Sequence, residues 1–72
     1  MAVKIGIFGL SRGLNFIKCA KLLGLEIVAI CDMDQKRLDF AKNRCPETTK
    51  TFTDFEEFIK EDMDAVALIN FF

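Results

Sequence analysis

The 72-residue sequence predicts an α/β chain, with four parallel strands and helices on both faces of one sheet. Two observations lead there. Apolar segments of strand length alternate strictly with segments of helical period, and the connections between them run to only a few residues. Short βα units joined by right-handed crossovers give a parallel sheet and little else. The composition is that of a packed domain: 51% hydrophobic and 29% charged residues, with 4 Gly and 1 Pro. It excludes a disordered tail, a collagen-like repeat and a Pro/Gly-rich linker.

The first strand, Val3 to Leu10, is rich in Ile, Val and Phe and apolar on both faces, as a strand covered from both sides must be. From Arg12 to Leu23 the period changes. Gly13, Phe16, Ile17, Ala20 and Leu23 share one stripe of an amphipathic helix. Gly24 stands where a left-handed residue ends that helix, with Leu25 placed for the apolar contact that follows such an end. Ile27 to Cys31 is a second buried strand. Asp34 is expected to cap a helix over Gln35 to Arg44, with Leu38 and Ala41 inward and Pro46 just beyond its end. A short third strand falls at Lys50 to Phe52. Thr53 and Glu56 have capping-box spacing for a third helix carrying Phe55, Phe58 and Ile59 on one face. Asp64 to Phe72 is the last apolar strand. The strand order expected for this succession is 3-2-1-4, with the first two helices on one face and the third on the other.

Charge and residue usage narrow the function. With 10 basic against 11 acidic residues, no basic patch dominates the surface, so neither nucleic acid nor an anionic membrane is an expected partner. Without histidine, this chain offers no imidazole base or ligand. Cys19, Cys31 and Cys45 are odd in number and form no CxxC pair, which argues against zinc, any other metal centre and a disulfide framework. The amino end carries Lys4, Gly6 and Gly9 and no small-residue cleavage site, unlike a signal peptide. Its apolar runs fall far short of the ~18 residues of a membrane span. A soluble, cytoplasmic protein in a reducing compartment is expected.

The turn Gly9-Leu10-Ser11-Arg12-Gly13-Leu14 joins the first strand to the first helix. A phosphate-binding turn there needs a residue without Cβ, a close backbone approach and free N–H groups at the helix start. Gly9 meets the first need; Ser11 stands for the second glycine of a G-x-G-x-x-G run, and Gly13 falls one residue before the third. Asp32 ends the second strand 23 residues after Gly9, near the ~20 expected of an acid that accepts from an adenosine ribose. An Asp at that place repels a 2′-phosphate and so favours NAD over NADP. The plain alternatives are an ordinary βα turn and a solvated strand-end carboxylate. Since Asp34 already fills the cap role for the second helix, Asp32 is left available to a ligand. Together the turn and the acid describe a partial Rossmann fold.

The strings KIGIFGLSRG, EIVAICDMDQKRLDFAK, TFTDFEEFIK and DMDAVALIN resemble the amino-terminal part of the glucose–fructose oxidoreductase, inositol dehydrogenase and rhizopine-catabolism family (Gfo/Idh/MocA). The resemblance covers essentially the whole chain, and the Cys31-Asp32-x-Asp34-x-x-Arg37 run is its most specific part. It implies that Gly9, Ser11, Arg12 and Gly13 hold a pyrophosphate, that Asp32 holds the adenosine ribose and that Arg37 lies toward the adenine. It also implies a sheet that continues past the fourth strand and a second α/β domain carrying the substrate pocket. The family's catalytic lysine, in an E-K-P run, and its catalytic histidine have no counterpart here, so no catalytic residue is nominated. On this reading residues 1–72 are a single, incomplete dinucleotide-binding domain without its substrate domain. The chain is then a cofactor-binding fragment of an NAD-dependent oxidoreductase for a sugar, polyol or related substrate, inactive alone.

Other readings stay beside it. A non-catalytic, self-associating Rossmann-like module with weak or no nucleotide binding is one; a fold using S-adenosylmethionine, which also places an acid after its second strand, is another. Cys31 is either a redox-sensitive thiol or a small buried residue. The phenylalanines fit helical core spacing better than base stacking. Asp54, Glu56 and Glu57 fit a helix amino end better than a catalytic carboxylate pair. In the expected strand order Asp64 to Phe72 is an apolar edge, and homo-oligomerisation through it is the expected partnership.

Overall fold

Parallel pairing through the strand β1 (Lys4–Phe8) organises the chain. The computed structural model describes residues 3–69 except for the side chains of residues 11–14. β1 pairs with β2 (Glu26–Cys31) on one side and β4 (Ala65–Leu68) on the other, and β2 pairs with β3 (Lys50–Phe52). The sheet order is β3-β2-β1-β4, all parallel, as the alternation predicts. The register of β1 on β2 shifts between Ile5 and Gly6. At the amino end of the sheet, Asp64 donates its N–H to Lys4 O at 2.7 Å and accepts from Lys4 N at 2.8 Å through Oδ2, which locks β4 against β1.

Three helices cover the sheet: α1 (Leu10–Leu22), α2 (Gln35–Lys42) and the single turn α3 (Phe55–Phe58). One core lies under α1 and α2, where Ile5, Ile7, Leu10, Ile17, Ala20, Ile27, Ile30, Leu38 and Ala41 are buried. The other lies under α3, where Phe58 meets Ala29 and Cys31, flanked by Phe8, Val28, Phe52 and Met63. Two helices on one face and one on the other is the arrangement the succession of elements predicts.

Element cores hold and element ends shift: α2, expected to run to Arg44, stops at Lys42. α1 ends in a Schellman motif: Leu25 N–H donates to Ala20 O at 2.9 Å, Gly24 N–H to Lys21 O at 3.2 Å, and Gly24 takes φ +74°. Asp34 caps α2 by accepting from Lys36 N. The chain after α2 is tied down twice. Lys42 Nζ donates to the carbonyls of Pro46, Glu47 and Thr49, and the buried Thr49 hydroxyl donates to Ile27 O at 2.6 Å.

Four further expectations are corrected. Leu10 is the first residue of α1 rather than the last of the strand; it is buried, so its apolar side chain suited either element. Leu23, expected inward, is 73% exposed because it is the helix's C-cap. The cap of α3 is Asp54 and not Thr53: its Oδ1 accepts from Glu56 N at 3.1 Å, two residues on. On α3 only Phe58 is buried, since one turn cannot also carry Phe55 and Ile59 inward. Strand four is described from Ala65 to Leu68; the rest of the expected strand, Asn70 to Phe72, lies outside the described residues.

Candidate functional site

The carboxyl ends of β1 and β2 meet at two turns that one side chain holds together. Gly9 leaves β1 with φ 92° and ψ 93°, a conformation closed to residues bearing a Cβ except under strain. Its N–H donates to Cys31 O at 3.1 Å, which ties the turn to the end of β2. One residue later the N–H of Leu10, in the first turn of α1, donates to Asp32 Oδ2 at 2.9 Å. The other carboxylate oxygen, Oδ1, accepts from Asp34 N at 2.8 Å. Asp32 thus spans from the β1–α1 turn to the β2–α2 turn, and it is only 7% exposed.

This placement corrects one inference from the sequence. Asp32 has a structural task after all: where Gly9 lacks a side chain to cap α1, the carboxylate of Asp32 reaches across and takes that role. The negative charge also lies at the positive end of the helix dipole. Each oxygen uses one of its two lone pairs on an amide. The acid is bonded to the turn rather than turned away from it.

Arg37 stands at the rim. Its Nη1 is 4.0 Å from Asp32 Oδ1, and its Nε is 3.8 Å from Asp34 Oδ2. Among the described side chains, one guanidinium here faces two carboxylates. The backbone of Ser11, Arg12 and Gly13 forms the turns of α1 that follow Leu10. What their side chains face lies outside the described residues. The structure therefore brings together Gly9, Asp32 and Arg37 and places the amides of Ser11 and Arg12 next to them along the chain.

Sequence reasoning missed three contributors. The Leu10 amide is one, because backbone donors have no signature beyond their place after a turn glycine. The Asp34 amide is another. Met33, largely exposed between the two aspartates, is the third, and a large apolar residue set between two acids was its available signal.

Cys31, next to Asp32, is fully buried, and its thiol is pushed from 9.0 up to about 11, first by burial and then by the charges of Asp32 and Asp54. A thiol so held stays protonated at neutral pH, which decides for the buried structural reading over the redox one. The described cysteines are all free. Among the described residues, no helix is long and apolar enough to cross a membrane.

A four-stranded parallel sheet with its order reversing between β1 and β4, an acid closing β2 and a glycine turn opening α1 define a partial Rossmann-like α/β unit. Solved structures agree. An oxidoreductase from Agrobacterium radiobacter, in complex with NAD+, L-tartaric acid and magnesium, matches 99% of this chain at TM-score 0.85 and 24% identity, a likeness of fold. Myo-inositol 2-dehydrogenase from Lactobacillus plantarum matches 97% at TM-score 0.79 and 27% identity. Scyllo-inositol dehydrogenase from Lactobacillus casei, with bound NAD(H) and scyllo-inositol, matches 97% at TM-score 0.73 and 28% identity. The chain spans about a fifth of the length of each, 21% or 22%. No family profile and no curated protein matches the sequence. The structural likenesses support the resemblance carried by the motifs: the chain matches a Rossmann portion of Gfo/Idh/MocA-type oxidoreductases.

Proposed function

We propose that this chain is the dinucleotide-binding portion of an NAD-dependent oxidoreductase acting on a sugar, polyol or related hydroxylated substrate, and that it contributes cofactor binding only. The observation that carries the proposal is the seating of Asp32 at the end of β2, beside the Gly9 turn that opens α1. It sets the expected ribose acceptor against the turn expected to receive phosphate. With the Leu10 amide engaged, the Ser11 and Arg12 amides are the helix-start donors left to take a pyrophosphate. The spare lone pairs of Asp32 accept from a ribose diol, and Met33 offers an apolar surface to the adjoining ring.

The same rim supports NAD over NADP. A 2′-phosphate would lie near two carboxylates, between which the Arg37 guanidinium is already shared. The bound dinucleotide would supply the hydride acceptor, and the substrate's general base would come from outside these residues. The substrate class rests on the neighbours in which NAD(H) and inositol, or NAD+ and tartaric acid, are bound.

Calorimetric titration of the full chain is the test. Saturable binding of NAD, with NADP at least about tenfold weaker (about 1.4 kcal/mol) and no heat from S-adenosylmethionine, is the expected result. One observation favours the alternative of a non-catalytic module: Asp32 and the Leu10 amide already satisfy each other. Absence of heat with every nucleotide would select that alternative.

A further inference from the structure

The near-zero net charge hides a division between the two faces of the sheet. Residues 10–25, which form α1 and its end, carry Arg12, Lys18 and Lys21 and no acid, whereas residues 54–64, around α3, carry six acids and one lysine. The end of α2 and the residues after it add Lys42 and Arg44. The face under α1 and α2 is therefore basic and the α3 face acidic, a separation that the charge total conceals.

On the basic face, α1 and the residues just after α2 enclose a cleft of about 330 Å³, lined by Asn15, Ile17, Lys18, Lys21 and Arg44. Buried Ile17 is its floor, and around it stand two ammonium groups, one guanidinium and one carboxamide. No carboxylate among the described residues comes within ion-pair distance of Lys18, Lys21 or Arg44; the cations that meet an acid are Lys4, Arg37, Lys50 and Lys60. Arg44 is held in place. Its guanidinium carbon lies 3.9 Å from the centroid of the Phe40 ring, and its Nη1 donates to Phe40 O at 3.3 Å. The rest of its N–H donors are left to a ligand. Lys42, by contrast, folds onto the carbonyls of Pro46, Glu47 and Thr49. The carboxyl end of α1 accounts for Lys21, since a cation is favoured there. It accounts neither for Lys18, a turn earlier, nor for Arg44 on the other wall.

We propose that this cleft binds a phosphate group of two or more negative charges, free or as an ester. Three cations around a small apolar floor, with no acid to neutralise them, suit a compact polyanion, and their N–H groups suit its oxygens. The cleft is at the small end of ligand sites, and an acidic protein partner would need a far larger face. Lys18 and Lys21 lie more than two helical turns along α1 from Leu10, so this site is separate from the nucleotide turn and the failure of either reading leaves the other standing. Its walls come from neighbouring segments of the described chain, and further strands of a sheet in this order add beyond β4, on the other side of β1 from the cleft.

The test is titration of the full chain with inorganic pyrophosphate and, separately, with glycerol phosphate, read by backbone amide shifts. Saturable shifts at residues 15–21 and 44–45 with either anion are the expected result, and the anion that saturates first tells a free phosphate from an ester. Shifts confined to residues 10–13, shifts spread evenly over all the lysines, or shifts that never saturate overturn the proposal. Lys18→Gln, Lys21→Gln and Arg44→Gln should each weaken binding about fivefold, the worth of one charge pair at contact in water. Lys60→Gln, beyond α3, should leave it unchanged. The three cleft side chains are exposed, so these variants keep the fold, which the dispersion of the same amide spectra verifies. Unchanged affinity in all three overturns the proposal.

Discussion

Asp32 shows how one side chain takes on two tasks. Its oxygens accept from the Leu10 and Asp34 amides, so replacing it by Asn leaves one oxygen for two donors and turns an NH2 group toward an N–H. A buried amide left unpaired costs about 1–3 kcal/mol. Asp32→Asn should therefore lower the unfolding free energy read from urea melts by that amount with no ligand present, and a value unchanged from the parent would deny the clasp. The neighbouring Cys31 gives a pH signature. Its thiol holds its proton more tightly in the fold, with a pKa of about 11, than in the unfolded chain near 9.0. A group raised in this way contributes stability that is present in full below pH 9 and is lost as pH climbs toward 11. Stability of the parent should fall across that window, and the fall should shrink in Cys31→Ala, as read by denaturant melts at successive pH values. Iodoacetamide at neutral pH should accordingly label the exposed Cys19 well before Cys31.

Gly6 belongs to the scale of the element, because its missing Cβ lets α3 settle on β1. A Cβ there would stand 2.8 and 2.9 Å from the Phe58 ring, the one buried side chain of α3. Gly6→Ala therefore forces a buried aromatic to move, and overpacking of this kind costs about 1–3 kcal/mol. An unfolding free energy lowered by that much in denaturant melts is expected; Gly24→Ala, where nothing lies within 4 Å, isolates the strain of φ +74° alone. That requirement at Gly6 was invisible in the sequence, where the residue reads as one more small position in an apolar strand. The strands themselves were legible: β3 falls on Lys50–Phe52 as predicted, and the strand order is the one expected for this succession of elements. Ends were less so, for physical reasons. Leu10 suits a buried strand or a buried first helical turn, and Thr53 and Asp54 are adjacent cap formers between which only the reach to the Glu56 amide decides. In the site, Asp32 was legible through its distance from Gly9. Its bond to Leu10 was not, because a backbone amide carries no residue signature.

Across the whole molecule, stability rests on two thin cores split by a four-stranded sheet, and a ligand that bridges the turns should register strongly in so small a fold. Anything that binds only the folded state stabilises it; at a free concentration a hundred times the dissociation constant the gain is about 2.7 kcal/mol. A domain of this size gains about 4–8 °C per kcal/mol. Saturating NAD should therefore raise the unfolding midpoint by roughly 10–20 °C on those two figures, and NADP at the same concentration by clearly less. Asp32→Asn should lower the starting midpoint and lose most of the rise. If NAD shifted the midpoint of Asp32→Asn as far as that of the parent, the acid would be a clasp for the two turns and nothing more.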